Sequence, residues 1–150
     1  MEKYKSFAQS LYSLGNVDYS VLLNNCTSVE YIILSKIDMC ITEDVLEYVN
    51  VTQLSEKLGV SMPAVSRVLK SLEGKRYIER NVDIFCRRNT RVKITKEGKK
   101  ELLKCQNNLD KFFSEIFSDL DEKEQEMMSK SFEIMCERMH SKIKKYKEEL

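Results

Sequence analysis

In 150 residues the chain has one histidine, one proline, four glycines and no tryptophan. Each scarcity narrows what it can be. So little proline and glycine excludes a loop-rich architecture and favours helices. There is no glycine-rich phosphate loop, and the single histidine, His140, sits in a basic C-terminal stretch without an obvious partner. No catalytic constellation is visible, so neither an enzyme nor a cofactor is expected. No run approaches the ~20 apolar residues that cross a bilayer. The first ten residues, MEKYKSFAQS, are too polar for a signal peptide. A cytoplasmic protein without a membrane partner is expected. The five cysteines, Cys26, Cys40, Cys86, Cys105 and Cys136, are odd in number, scattered and without a C-x-x-C pair. That spacing offers neither a zinc motif nor a secreted disulfide framework, and reduced thiols, some of them buried, are expected.

What is present is an unequal distribution of charge. Apolar residues make up 42% and charged residues 33%, enough for a core and a well-solvated surface. The net charge of +1 conceals a split: residues 51–100 carry 13 Lys/Arg against 5 Asp/Glu, and the rest carries 12 against 19. A basic stripe confined to one module is the footprint of a polyanion binder, because duplex affinity comes largely from phosphate contacts and released counterions.

Apolar spacing at Tyr4, Phe7, Ala8, Leu11 and Leu14 predicts a first helix over residues 2–14, with Gly15-Asn16 as its end and residues 18–23 as a resumption. Thr27-Ser28-Val29-Glu30 forms a capping box for a second helix through Ile33, Leu34 and Ile37. Residues 38–50 have no clear period and read as a connector with a short strand at Tyr48–Val51. Thr52 is the expected N-cap of the next helix, which Gly59 ends. Ser61 caps another, with Val65, Val68, Leu69 and Leu72 as one apolar stripe and Gly74 as its stop. Residues 77–80 and 91–95 alternate as two strands of a hairpin. Thr95 then caps a long helix to about Ser118, and Asp121 with Glu124 opens the last one. That helix repeats Met128, Phe132, Met135, Met139, Ile143 and Tyr146 at near-heptad steps.

The pattern from 51 to 98 is a helix-turn-helix followed by a basic hairpin, which implies a reader of double-stranded DNA. Packing of the apolar stripe leaves Ser61, Pro63, Ala64, Ser66, Arg67 and Lys70 on the outward side of the second helix. An α-helix fits the major groove and reads bases mainly from its N-terminal half. Arg67 is suited to guanine O6 and N7, Ser66 and Ala64 to a thymine methyl or a phosphate, and Lys70 to a phosphate. The hairpin supplies Arg87 and Arg88 at its tip and Arg80, Arg91 and Lys93 on its strands, for the backbone and the minor groove.

The same residues resemble the MarR family of winged helix-turn-helix transcription factors. The family pattern appears as Thr52, Glu56, Leu58, Gly59, Ser61, Leu72 and Glu73, and its wing as Cys86-Arg87-Arg88, Arg91 to Thr95, and Gly98. The wing arginine carries over to Arg88, whereas Cys86 stands where the family has an aspartate. The resemblance covers nearly the whole chain. It implies a mainly α (α+β) fold and a single domain over 1–150. Dimerisation helices are expected at 1–37 and 99–150, and a DNA-binding lobe at 48–98. It further implies a homodimer on a pseudo-palindromic operator with half-sites ~10 bp apart, and a repressor that answers to a small aromatic or phenolic effector. Tyr12, Tyr31 and Phe112 are candidate effector-lining residues by position. Cys86, beside two arginines, is a candidate redox residue. The family's zinc sensors use histidines after the wing, which this chain lacks, so metal sensing is not expected. The rival reading is a winged-helix adaptor that binds protein rather than DNA.

Overall fold

The structure is a computed structural model that describes residues 4–43, 46–82 and 90–149. The chain divides into two compact units, Met1–Leu109 and Asp110–Leu150. Among the described residues no helix is long and apolar enough to cross a membrane.

The first unit begins with α1 (Lys5–Gly15) and a short 3-10 turn at Ser20–Leu22, so the expected resumption of helix after Asn16 shrinks to a single turn. The predicted box opens α2 (Ser28–Glu43): the Glu30 amide donates to Thr27 Oγ1 at 3.2 Å, and the Thr27 amide donates to Glu30 Oε2 at 2.7 Å. This helix runs to Glu43 and takes up residues expected to be connector. Ile37 and Cys40 are buried and Ile41 packs on the core, which prolongs the stripe of Ile33 and Leu34. Exposed apolar residues elsewhere on α2 (Val29, Ile32 and Met39) blur that stripe in the sequence.

Strand β1 (Val49–Asn50) leads directly into α3 (Val51–Leu58). The cap is Asn50, whose Oδ1 accepts from the Gln53 amide at 2.8 Å. The expected cap Thr52 is already helical, because the asparagine two residues earlier satisfies an orphan N–H first. Gly59 ends α3 with φ of 64°, and the Ser55 hydroxyl donates to the Val60 carbonyl at 2.8 Å across the same turn. Helix α4 (Met62–Gly74) follows. Its end does not use a left-handed glycine. Arg76 takes the left-handed conformation at φ 62°, with the Tyr77 amide donating to Leu72 O and the Arg76 amide to Glu73 O.

Strands β2 (Ile78–Val82) and β3 (Thr90–Ile94) pair antiparallel, and β1 pairs with the other edge of β3. Ile78 opposite Ile94 and Val49 opposite Val92 close the sheet over α2, α3 and α4. Leu34, Ile37, Leu54, Val65, Leu69, Leu72 and Val92 are fully buried there. Thr95 caps α5 (Lys96–Ile116) by accepting from the Gly98 amide at 3.0 Å, while its own hydroxyl donates to the Arg76 carbonyl at 2.7 Å.

Two buried carboxylates bind the helices of this unit together. Glu30 accepts from Ser71 Oγ at 2.7 Å and from Lys75 Nζ at 2.7 Å, in addition to its capping bond. Burial alone would push its carboxyl up. The hydrogen bonds from Lys75, the Thr27 amide and Ser71, with the Lys75 charge, outweigh burial and hold it at about 2. Glu101 on α5 accepts from Asn24 Nδ2 and the Asn25 amide, both at 3.0 Å. Lys75 Nζ also donates to the Asn25 carbonyl at 2.7 Å, so one segment before α2 is held by both α4 and α5.

The second unit holds the end of α5 and α6 (Glu122–Glu148). The predicted capping box is present at Asp121 and Glu124. Phe113 stacks on Phe117 with ring centroids 6.1 Å apart and meets Phe112 edge-on at 5.5 Å. No residue of α6 is buried.

Lys75→Met is expected to leave Glu30 buried without its cation and to cost about 3 kcal/mol at neutral pH. Because the folded-state value is depressed from 4.5 to about 2, the stabilisation is complete above pH 4.5 and fades as pH falls through 2. Urea unfolding at several pH values should therefore show wild type and variant converging in acid. Gly98 is buried where a Cβ would collide with the Tyr77 carbonyl. Gly98→Ala is expected to displace the start of α5 from the base of β2 at a cost of about 1–3 kcal/mol, read as a lowered Tm.

Candidate nucleic-acid interface

Helix α4 presents two chemically different sides. Val65, Leu69 and Leu72 are buried against the core. Ser61, Pro63, Ala64, Arg67 and Lys70 are exposed and Ser66 is half-buried, so the structure brings the predicted α4 group together on the solvent side of one helix. At 1.5 Å per residue α4 is about 20 Å long, enough to lie across a duplex groove. Pro63 occupies the first turn, where its missing N–H is harmless. Ser61 stands at the N-cap position but its hydroxyl makes no capping bond, contrary to expectation, and its carbonyl accepts from the Val65 amide instead. The exposed hydroxyl lies beside the orphan amides of the helix start, an arrangement suited to an anionic oxygen.

The sheet register sorts the basic strand residues. Asn81 pairs with Arg91 and Glu79 with Lys93, so Arg91 and Lys93 share the face opposite the core. Arg80 pairs with Val92 and therefore belongs to the core face. Its guanidinium leans on Glu73 of α4 at 3.7 Å. Arg80 is thus a brace between the hairpin and α4 rather than a member of the outer basic row, because a period of two puts it out of phase with Arg91. The Arg91 guanidinium lies 4.0 Å from the centroid of the Tyr48 ring. An open cleft of about 410 Å³ lies beside it, lined by Glu47, Tyr48, Asn81, Val82, Arg91 and Lys93. Tyr48 was not singled out from the sequence. An aromatic one residue before a short strand carries no signal until β1 is paired beside β3.

Cys86, Arg87 and Arg88 lie outside the described residues. Of the candidate effector residues, Tyr31 packs half-buried on the core of the first unit and Tyr12 is exposed on α1. Phe112 belongs to the second unit, where it is half-buried beside Phe113.

Residues 43–113 match the family model described as a winged helix DNA-binding domain. No curated protein sequence matches the chain. Similar solved structures include a MarR transcriptional regulator from Methanosarcina mazei Go1, with 22% identity and a TM-score of 0.73 over 94% of this chain and 99% of that one. A mutant of MarR from E. coli complexed with operator DNA has 19% identity and a TM-score of 0.67, over 90% of this chain and 99% of that one. The PcaV transcriptional regulator from Streptomyces coelicolor, in complex with its natural ligand, has 14% identity and a TM-score of 0.68, over 91% and 93%. Residues 43–113 are therefore similar to a winged helix DNA-binding domain, and the chain has the fold that the MarR transcriptional regulators share.

Proposed function

We propose that the chain is a sequence-specific DNA-binding transcription regulator that works as a homodimer on a pseudo-palindromic operator, as a repressor relieved by a small aromatic or phenolic effector. The observation that carries DNA binding is the solvent side of α4. It holds Pro63, Ala64, Arg67 and Lys70 exposed on a helix whose other side is locked into the core. In this reading Ala64, Ser66 and Arg67 meet base edges, Ser61 and Lys70 meet phosphates, and Arg91 and the segment with Arg87 and Arg88 reach the adjacent backbone and minor groove. The net positive charge of residues 51–100 supplies the long-range attraction.

Homodimerisation draws its support from the apolar residues that α1 and α6 leave exposed. On α6 these include Met128, Phe132, Met139, Ile143 and Tyr146 of the expected seam, with Met127 and Ile134 exposed beside it. On α1 and its N-cap they include Tyr4, Phe7, Tyr12 and Leu14. A helix of 27 residues with no buried side chain and an apolar seam gains its stability from a second surface. The effector reading rests on Tyr12, Tyr31 and Phe112 by their positions in the sequence, and on the natural ligand found with the PcaV regulator. Cys86 as a redox residue rests on its two neighbouring arginines.

Selection of bound duplexes from a random library tests the central claim. Wild type is expected to enrich a pseudo-palindrome with half-sites ~10 bp apart. Arg67→Ala should relax the preference at one position of each half-site and weaken binding by ~1–3 kcal/mol. Arg88→Ala should weaken binding to all sequences and lower the slope of log affinity against log salt by about 1 per protomer. Retention of a protein partner without enrichment of any duplex would replace this reading with the adaptor. Phe132→Asp combined with Met139→Asp is expected to convert a two-chain species into single chains in sedimentation velocity. An unchanged sedimentation coefficient would remove α6 from the dimer contact.

A further inference from the structure

Three donor groups far apart in sequence converge in the first unit. Cys26 Sγ, Cys105 Sγ and a Glu101 carboxylate oxygen all lie within 4.8 Å of one another, and all three residues are buried. Cys26 comes from the segment before α2, and Glu101 and Cys105 stand one turn apart on α5. We propose that Cys26, Glu101 and Cys105 form a binding site for a thiophilic divalent cation of the zinc type.

The donor set selects that class. Two sulfurs and one carboxylate suit zinc, whereas calcium and magnesium require oxygen throughout. With metal–sulfur bonds near ~2.3 Å and a metal–oxygen bond near ~2.0 Å, tetrahedral ligands stand roughly 3.3–3.8 Å apart, so donors within 4.8 Å of one another close by at most about 1.5 Å. The carboxylate is already oriented: Asn24 Nδ2 and the Asn25 amide hold Oε1, and Lys104 Nζ stands 3.4 Å from Oε2. The Cys105 thiol donates to the Leu23 carbonyl at 3.1 Å. When that proton leaves, the carbonyl becomes available as a fourth oxygen donor.

The charge balance permits exchange. Thiols give up their protons when a metal ion takes them as ligands, and Glu101 already stands as a hydrogen-bonded acceptor of Asn24 and the Asn25 amide. The cluster before binding is therefore two thiols and one carboxylate. Binding replaces two thiol protons with one divalent cation, forming two metal–sulfur bonds and one metal–oxygen bond and releasing two protons to solvent. The cluster charge is −1 before and after, so the lysine beside it remains matched and no net charge is buried. A bound ion would cross-link the segment before α2 to α5.

The test uses the full chain, reduced, with Cys40→Ala, Cys86→Ser and Cys136→Ser so that only Cys26 and Cys105 remain. Zinc titrated against a chromophoric chelator in weak buffer is expected to bind one ion per chain, release two protons and raise Tm. Adding Cys26→Ser or Cys105→Ser should weaken binding by roughly 100-fold or more, and Glu101→Gln by roughly tenfold. Cobalt in the otherwise unaltered background should give thiolate-to-metal charge transfer and tetrahedral bands, a readout independent of whether the serine variants fold. No saturable uptake, or uptake undiminished by Cys26→Ser in a protein folded by circular dichroism, overturns the proposal. So does formation of a Cys26–Cys105 disulfide under a thiol oxidant when the reduced protein takes up no metal, which would make the pair a redox element instead.

Discussion

The buried Glu30 carboxylate is the contact on which the placement of α4 depends. The helix before the core needs a cap, and Glu30 supplies half of it by accepting from Thr27. The same carboxylate reaches across to Ser71 and Lys75 on or beside the last turn of α4. A charge this buried is tolerable only when its lone pairs are filled, and here three donors, the Thr27 amide, Ser71 Oγ and Lys75 Nζ, fill them. A capping residue has thereby become a fixed anchor for the helix that presents Arg67 and Lys70. The apolar stripe of α4 sets which side is inward, and the carboxylate pins the helix end beyond that stripe.

The small sheet performs a second sorting. Strand β3 alternates buried Val92 and Ile94 with outward Arg91 and Lys93, so one short strand contributes to both core and basic surface. Pairing with β2 assigns Arg80 to the inner side, where Glu73 is within 3.7 Å. Pairing with β1 sets Tyr48 under Arg91. Each of these pairs joins residues more than five positions apart, and each ties the small sheet to its surroundings. Gly98 adds to this, since only a residue without a side chain lets α5 start against the Tyr77 carbonyl.

Charge and apolar surface are divided between different parts of the chain. The basic excess lies in residues 51–100, and the exposed apolar seam of α6 lies in the second unit. Such a division is what the proposed homodimer on DNA requires, one surface for a polyanion and another for a second copy of the chain. A phosphate-binding surface gains from charge that water screens only partly, and a dimer surface gains from apolar area removed from water.

Local chemistry made much of this legible from the sequence. Capping boxes at Thr27/Glu30 and Asp121/Glu124, the left-handed Gly59, the Thr95 cap and the α4 stripe all operate within a few residues, so their partners are adjacent in the chain. Where two local signals competed, the reading failed. Asn50 displaced Thr52 as a cap, and although α4 does end at Gly74, the left-handed residue that follows is Arg76. Helix α2 outran its expected end because Cys40 acts as an apolar residue in the core. The rest belongs to tertiary structure alone. That Arg80 braces α4 while Arg91 faces outward follows from strand register. That Cys26 meets Cys105 and Glu101 across more than seventy residues follows from how α5 docks on the segment before α2. Spacing along a chain encodes helix caps and faces, but convergence of distant side chains is set by packing, which no local pattern contains.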